Sequence, residues 1–159
     1  MNLDELNGLP APKALAEFRA CCGSLRWTTQ MTALRPFESR DVLLAGADEV
    51  WNSLGPDDWR EAFAAHPRIG ERATGAAADE QSGMHDAADN VRAELAQVNA
   101  EYERRFGYIY IVCATGKSAT EMLDLAKQRL DNDPESELKV AAEEQRKITR
   151  IRLTNLVQE

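Results

Sequence analysis

The clearest structural signal in the sequence is an apolar repeat between residues 91 and 106. Its members are three or four residues apart, as on one face of an amphipathic α-helix: Val91, Leu95, Val98, Tyr102 and Phe106. Gly107 follows directly and favours the end of the helix at that point. This segment therefore predicts a long helix with one buried face.

The next segment, residues 108–114 (YIYIVCA), has the residue types of a buried β-strand. No other part of the sequence offers it a partner strand. An unpaired strand would leave its backbone N–H and C=O groups without hydrogen bonds. We therefore expect an extended or tightly turned segment, outside any β-sheet, whose backbone groups find another use.

Start and stop signals divide the rest of the chain into further helices. Ser24 and Ser39 are candidate N-caps, Ser118 and Glu121 form a capping box, and Pro134 opens the last helix. The faces expected to pack inward include Trp27, Met31 and Leu34; Val42, Leu43, Val50, Trp51 and Leu54; and Ala119, Met122, Leu123, Ala126 and Leu130. We predict a single all-α domain over residues 1–159, with about seven to nine helices and no β-sheet.

Composition excludes several classes of protein. The formal net charge of −8 disfavours binding to nucleic acid or to an anionic membrane surface. No apolar run approaches the ~20 residues that span a bilayer, and the N-terminus lacks the pattern of a secretory signal. The three cysteines lack the spacing of a disulfide framework or a zinc site. A cytoplasmic protein without a bound metal is the resulting expectation.

Residues 66–70 (HPRIG) and 80–84 (EQSGM) are the candidate source of chemistry. His66 should end a helix, because Pro67 disfavours the α conformation in the residue before it. A histidine and the carboxylate of Glu80, presented by two loop edges, could form a general acid–base pair. The alternative is a structural histidine that is favoured by the dipole at a helix C-terminus.

Arg152 lies four residues after Ile148 and four before Leu156, so it shares the apolar stripe of the last helix. Its stem could lie along the apolar surface while the guanidinium reaches water. Alternatively, the guanidinium could face a pocket and bind a carboxylate through two hydrogen bonds. The sequence leaves both interpretations open.

Four motifs in order carry a resemblance that spans nearly the whole chain. They are residues 66–70 (HPRIG), 80–84 (EQSGM), Glu101-Tyr102 with 105–107 (RFG), and Lys147-Ile148 with Arg152-Leu153. This set resembles the family of 2-oxo-4-hydroxy-4-carboxy-5-ureidoimidazoline (OHCU) decarboxylases. The resemblance implies an all-α homodimer without a cofactor, which removes carbon dioxide from an anionic ureidoimidazoline to give (S)-allantoin in urate breakdown. Hydroxyisourate hydrolase would be its neighbour in the pathway.

The resemblance also implies roles for individual residues. His66 matches the proton donor, Glu80 the essential carboxylate and Arg152 the arginine that binds substrate. Further positions implied to contact substrate are Pro67, Gln81 and the segment Tyr110, Ile111, Val112, Cys113 and Ala114, the last through its backbone. Ala77 departs from the family, which often has serine there, so a hydroxyl contact is missing or comes from Thr74 or Ser82.

Two other classes of function compete with this interpretation. The chain could be a helical interaction module in which His66, Glu80 and Arg152 have no catalytic role. It could also be a metal-dependent hydrolase that uses His66, His85 and Glu80 as ligands. Outside that alternative, His85 has no assigned role and is interpreted as a surface histidine.

Overall fold

The computed structural model describes residues 1–70, Glu80 and residues 89–158, and these contain eight helices and no strand. The all-α prediction, with about seven to nine helices, is therefore confirmed for the described residues. In chain order the helices are α1 (Leu3–Gly8), α2 (Ala11–Cys21), α3 (Leu25–Ala33), α4 (Arg40–Ser53), α5 (Pro56–Ala64), α6 (Asp89–Phe106), α7 (Ala119–Arg129) and α8 (Pro134–Leu156).

The helix boundaries follow the local signals in the sequence. The side chains of Ser24 and Ser39 accept hydrogen bonds from the third backbone N–H of their helices, as N-caps do. Ser118 and Glu121 form the predicted capping box at the start of α7. Gly107 ends α6 with a φ of +83°, a left-handed conformation that glycine adopts without strain.

None of the helices in the described ranges combines the length and the apolarity that crossing a bilayer requires.

The chain divides into two compact units, and the first comprises residues 1–65 and 145–159. Its interior includes Trp27, whose ring meets Phe18 edge-to-face at 5.9 Å and whose indole N–H donates to the carbonyl of Ala47. Two expected inward residues are exposed instead, Leu34 by 49% and Val42 by 46%. Leu34 lies beyond the last residue of α3, and Val42 points about 100° away from Leu43, which begins the buried face of α4.

Gly23, in the connection between α2 and α3, allows the end of α5 to approach closely. A Cβ atom at this position would lie 2.5 Å from the Cβ atom of Ala65, a distance that real side chains do not adopt. Ala65 is the C-cap of α5 and directly precedes His66. Glycine at position 23 is therefore required by the packing at the end of α5.

The second unit comprises residues 66–144, and its core joins α6, α7 and the segment before α7. Its buried members are Ile69, Leu95, Val98, Tyr102, Tyr110, Val112, Ala114, Ala119, Met122, Leu123 and Ala126. The predicted apolar face of α6 is thus buried, with Val91 and Phe106 partly covered. Helix α8 begins in this unit and ends in the first.

All three cysteines are free and buried. Burial raises the pKa of the Cys21 thiol to about 12, although the charge of Arg152 opposes this shift. Burial likewise raises the pKa of Cys22 to about 11, although hydrogen bonds from Ser24 and Thr149 favour the thiolate. Both thiols therefore stay protonated in the folded protein at pH values at which an exposed cysteine ionises.

This difference predicts a loss of stability in alkali. Above the ordinary thiol pKa of about 9, the unfolded chain releases protons that the folded chain retains, so the free energy of unfolding falls as pH rises. The fall is up to about 1.4 kcal/mol per pH unit for each thiol, until the raised pKa is reached. Urea denaturation between pH 8 and pH 11 measures it. The double variant Cys21→Ala/Cys22→Ala should lose stability less steeply, and equal slopes would contradict this account.

Candidate active site

His66 lies on a loop edge just after α5. The helix ends at Ala64, two residues earlier than predicted, and Ala65 caps it by donating its N–H to the carbonyl of Ala62 at 3.2 Å. His66 therefore stands outside the helix, as the restriction that Pro67 imposes on the preceding residue requires. Both His66 and Pro67 are half-buried.

The loop that carries His66 is attached to α6 by two contacts. Arg68 donates to both carboxylate oxygens of Glu103, from Nε at 2.9 Å and from Nη2 at 2.7 Å. The buried Asn99 donates from Nδ2 to the carbonyl of Ile69 at 3.0 Å. Gly70, with a φ of +90°, supplies the turn that follows. The residues directly after His66 are thus tied to a long helix.

Residues 110–114 are all buried and form no strand, as predicted. Side chains form hydrogen bonds with three of their backbone groups, where a partner strand would do so in a sheet. Arg129 Nη1 donates to the carbonyl of Ile111 at 2.6 Å, and Lys117 Nζ donates to the carbonyl of Cys113 at 2.7 Å. The N–H of Cys113 donates to Glu144 Oε1 at 3.1 Å. We call residues 110–114 the braced segment.

One of these bracing side chains belongs to a buried ion pair. Arg129 is 7% exposed and Glu137 is 0% exposed, and Arg129 Nη2 lies 2.6 Å from Glu137 Oε2. Tyr102 donates its hydroxyl hydrogen to the same carboxylate. Burial raises the pKa of Tyr102, against the opposing charge of Arg129, so the phenol remains a donor. We call Arg129, Glu137 and Tyr102 the buried triad.

The buried triad shows that the predicted inward face of α7 was wrong at its last position. Leu130 was expected to complete that face but is only partly buried, whereas Arg129 takes the inward position seven residues after Met122. The Arg129 guanidinium can be buried there because Glu137 neutralises its charge, and because Glu137 and the Ile111 carbonyl accept hydrogen bonds from its two edges.

Glu80 lies close enough to the braced segment for its charge to act there. Burial is the main reason why the pKa of the Cys113 thiol is raised, and Lys117 opposes the shift. The carboxylates of Glu144 and Glu80 both raise it further. Glu80 itself is half-buried. The charge of the predicted carboxylate therefore acts on the predicted substrate-contacting segment, and both belong to the second unit.

Arg152 belongs to the first unit and is half-buried. Its Nη1 lies 3.5 Å from the carbonyl oxygen of Ala20, near the end of α2, and its charge lowers the pKa of the adjacent buried thiols against the effect of burial. A positive charge at the C-terminal end of a helix is favourable. Whether the guanidinium also binds an anion stays a prediction.

Five candidate positions from the sequence analysis lie outside the described residues: Thr74, Ala77, Gln81, Ser82 and His85. Across residues 1–70, Glu80 and 89–158, no group of three or more His, Cys, Asp or Glu side chains is arranged to hold a metal ion.

Sequence reasoning missed the side chains that brace residues 110–114. A signal was present for two of them: Arg129 falls on the apolar face of α7, and Glu137 precedes the buried Ala141 by one helical turn. A basic and an acidic residue on two inward faces must pair to be buried. Lys117 and Glu144 carry no comparable signal, since Lys117 lies outside the helices and Glu144 is 31 residues from the Cys113 N–H that it accepts from.

Comparison with known proteins identifies the class to which this fold and site belong. Residues 7–154 match the family model for OHCU decarboxylase. A crystal structure of OHCU decarboxylase in the presence of (S)-allantoin is similar to this chain, with a TM-score of 0.83 and 35% sequence identity. That similarity covers 90% of this chain and 98% of the other. The chain belongs to the OHCU decarboxylase family, which is a family of carboxy-lyases.

Two relatives are similar in sequence over most of the chain. A uric acid degradation bifunctional protein of Arabidopsis thaliana, TTL, is 35% identical over 149 residues, which cover 88% of this chain and 46% of that protein. A 2-oxo-4-hydroxy-4-carboxy-5-ureidoimidazoline decarboxylase of Amia calva is 31% identical over 134 residues, with 78% of this chain and 75% of that protein covered. The chain thus spans about half the length of the Arabidopsis relative.

Proposed function

We propose that this chain decarboxylates 2-oxo-4-hydroxy-4-carboxy-5-ureidoimidazoline to (S)-allantoin, with protonation on one face of the ring. Membership of the OHCU decarboxylase family and the activity named for the Amia calva relative support the substrate and the reaction. The structural observation that carries the proposal is the fold, which is similar to that of a crystal structure of OHCU decarboxylase with a TM-score of 0.83 and 35% sequence identity.

The reaction requires few functional groups. When the bond between the hydroxyl-bearing ring carbon and the carboxylate breaks, carbon dioxide leaves and the bonding electron pair passes toward the adjacent, ureido-bearing ring carbon. The adjacent C=N group can accept that pair, so the substrate serves as its own electron sink and the proposal includes no cofactor. The protein must orient the carboxylate out of the ring plane, stabilise the developing charge and supply one proton.

We assign the charged steps to three side chains. His66 delivers the proton to the ureido-bearing carbon of the former C=N group. The ring nitrogen of that group also takes up a proton, and the hydroxyl group gives up its own to become the ring carbonyl of allantoin. Histidine is suited to the role because its side chain titrates near neutral pH. Glu80 accepts a hydrogen bond from the substrate hydroxyl or from His66, and its charge disfavours the bound carboxylate relative to carbon dioxide. Arg152 binds the substrate carboxylate through its planar guanidinium and offsets the net charge of −8 of this chain.

The remaining contacts orient the neutral parts of the substrate. Gln81 has both a donor and an acceptor for the ureido group, and Pro67 lines the same pocket. The backbone of Tyr110, Ile111, Val112, Cys113 and Ala114 contacts the ring. At Ala77 no hydroxyl is available, so the proposal assigns that contact to another group.

The proposed activity is tested by the rate at which substrate disappears. Urate oxidase and hydroxyisourate hydrolase generate the substrate from urate, and its ultraviolet absorbance is followed with and without this protein. We expect decay that is faster than the spontaneous reaction and proportional to protein concentration. Decay at the spontaneous rate, with the chain folded by circular dichroism, would reject the proposal and favour the interaction module.

Removal of metal ions separates the decarboxylase from the metal-dependent hydrolase. We expect protein that has been treated with a chelator and dialysed to keep its full rate, because His66 and Glu80 act as proton donor and charged group and not as ligands. Elemental analysis of the same sample provides the control. A loss of activity that added Zn²⁺ or Mn²⁺ restores would instead support the hydrolase.

We further propose that residues 1–159 act as one catalytic domain, that the protein is a homodimer, and that it is cytoplasmic. The family match across residues 7–154 supports the single domain. The bifunctional nature of the Arabidopsis relative supports a close link to another activity of urate degradation, for which we propose hydroxyisourate hydrolase. Sedimentation velocity tests the dimer, and a single species with the mass of one chain would refute it.

A further inference from the structure

We propose that the buried triad of Arg129, Glu137 and Tyr102 is a positioning device for substrate binding. It fixes the backbone of the braced segment in the conformation that receives the substrate, while its own side chains do not touch the substrate. The inference rests on the proposed function, because that proposal gives the braced segment its contact with the ring.

The argument begins with the two edges of the Arg129 guanidinium. One edge donates to Glu137, from Nε at 2.9 Å and from Nη2 at 2.6 Å to Oε2. Nη1 donates to the carbonyl of Ile111 at 2.6 Å. A rigid planar group with donors on both edges therefore connects α8 to the braced segment. A lysine ammonium has no such geometry and cannot make both sets of contacts in the same way.

Aromatic rings fix the orientation of the same guanidinium. The Cζ atom of Arg129 lies 4.9 Å from the ring centre of Tyr110 and 5.8 Å from that of Tyr102. The Tyr110 hydroxyl donates to the carbonyl of Met122 at 2.9 Å. The first residue of the braced segment is therefore held both through its ring and through its hydroxyl group.

The energetics of buried ion pairs point to a role beyond stability. Removing two charges from water is costly, and apolar side chains of similar volume often stabilise a core equally well. We therefore attribute the Arg129–Glu137 pair, whose carboxylate is 0% exposed, to the backbone conformation that it specifies and not to stability alone. Here that conformation is the position of the Ile111 carbonyl, for which the described part of the chain supplies no partner strand.

The position set at Ile111 is transmitted along the backbone. Cys113 lies two residues further on. Its N–H donates to Glu144, and its carbonyl accepts a hydrogen bond from Lys117. The charge of Glu80 raises the pKa of its thiol. A shift of the Ile111 carbonyl therefore changes the geometry between the backbone and the candidate catalytic carboxylate. Misplacement of binding groups by about 1 Å can reduce catalytic efficiency by roughly a hundredfold.

The first experiment compares Arg129→Lys with Arg105→Lys. Arg105 is the control, because its guanidinium makes the same two kinds of contact. It donates to the backbone carbonyl of Asn132 at 2.7 Å, and its Cζ atom lies 5.0 Å from the ring centre of Phe106. For Arg129→Lys we expect KM to rise roughly tenfold or more with a smaller change in kcat. Arg105→Lys should leave KM within about twofold of the wild type.

Amide hydrogen exchange supplies a measurement that does not depend on the substrate. The N–H of Cys113 should exchange roughly tenfold or more faster in Arg129→Lys than in Arg105→Lys, because the segment is no longer held at Ile111. Equal exchange rates together with an unchanged KM would overturn the inference. If wild-type protein fails to accelerate the reaction, the proposed function fails, whereas the exchange result still decides whether the triad holds the segment.

A second variant separates positioning from simple stability. The triple variant Arg129→Met/Glu137→Leu/Tyr102→Phe removes every polar group of the buried triad together and leaves no unpaired charge, so we expect it to fold. If the triad positions the backbone, this folded variant still shows the raised KM and the fast exchange at Cys113. A folded triple variant with wild-type KM and wild-type exchange would show that the triad serves stability alone.

Discussion

His66→Gln should reduce kcat/KM by roughly 10²–10⁴-fold while leaving the fold intact. Glutamine keeps hydrogen-bonding capacity and approximate size but cannot deliver a proton to carbon. His66 is half-buried and follows the end of α5, so the replacement removes no part of a helix or of the core. Substrate decay measured with matched concentrations of the two proteins tests this prediction, and the melting temperatures show that both are folded.

The second histidine of the chain provides the control. His85→Gln carries the same chemical change at a position to which the decarboxylase proposal assigns no role, and we expect its activity to remain near that of the wild type. The metal-dependent hydrolase predicts a loss in both variants. Full activity in His66→Gln would exclude His66 as the proton donor and remove the mechanism proposed above.

Arg129→Met should lower the free energy of unfolding by about 3–5 kcal/mol. The variant leaves Glu137, which is 0% exposed, as a buried carboxylate without its cation, and it also removes the donor to the Ile111 carbonyl. For a chain of 159 residues this corresponds to a fall in melting temperature of about 10 °C. Chemical denaturation of the wild type and the variant gives the difference directly.

A control variant on the same helix tests the reason for this loss. Lys127 pairs with Glu94 at the surface, and Lys127→Met should change stability little, because exposed ion pairs contribute weakly. A loss in Lys127→Met as large as that in Arg129→Met would contradict an uncompensated buried charge as the cause.

The sequence predicted the elements whose signals are local. Ser118 and Glu121 identify the start of α7 through contacts within four residues, and Gly107 ends α6 through its own backbone conformation. The strand-like composition of residues 108–114 was correctly separated from a sheet, because no partner strand was available. Each of these conclusions needed only neighbouring residues or the absence of a complementary segment.

The groups that satisfy the braced segment could not be predicted in the same way. The Ile111 carbonyl meets Arg129, 18 residues away, and the Cys113 N–H meets Glu144, 31 residues away. Such pairs arise from tertiary packing, which periodicity does not encode. Periodicity also placed Leu130 inward where Arg129 is buried, because an apolar pattern assigns a charged residue to the surface unless its partner is known.

Within the candidate site, His66 and Glu80 were predicted from their motifs and from the family resemblance that these motifs carry, and both assignments stay predictions. It could not show that the His66 loop is tied to α6 by Arg68 and Glu103, because their ion pair joins positions that are 35 residues apart. The roles of His66, Glu80 and Arg152 are chemical proposals that depend on a bound substrate. The variants described above test them individually.

The most direct test of the central claim is the circular dichroism of the allantoin that forms when the substrate is generated from urate. With wild-type protein we predict rapid growth of the signal of (S)-allantoin, and with His66→Gln or Glu80→Gln we predict slow formation of racemic product without a signal. Racemic allantoin formed at the spontaneous rate by folded wild-type protein would contradict the assignment of this chain as a stereospecific decarboxylase.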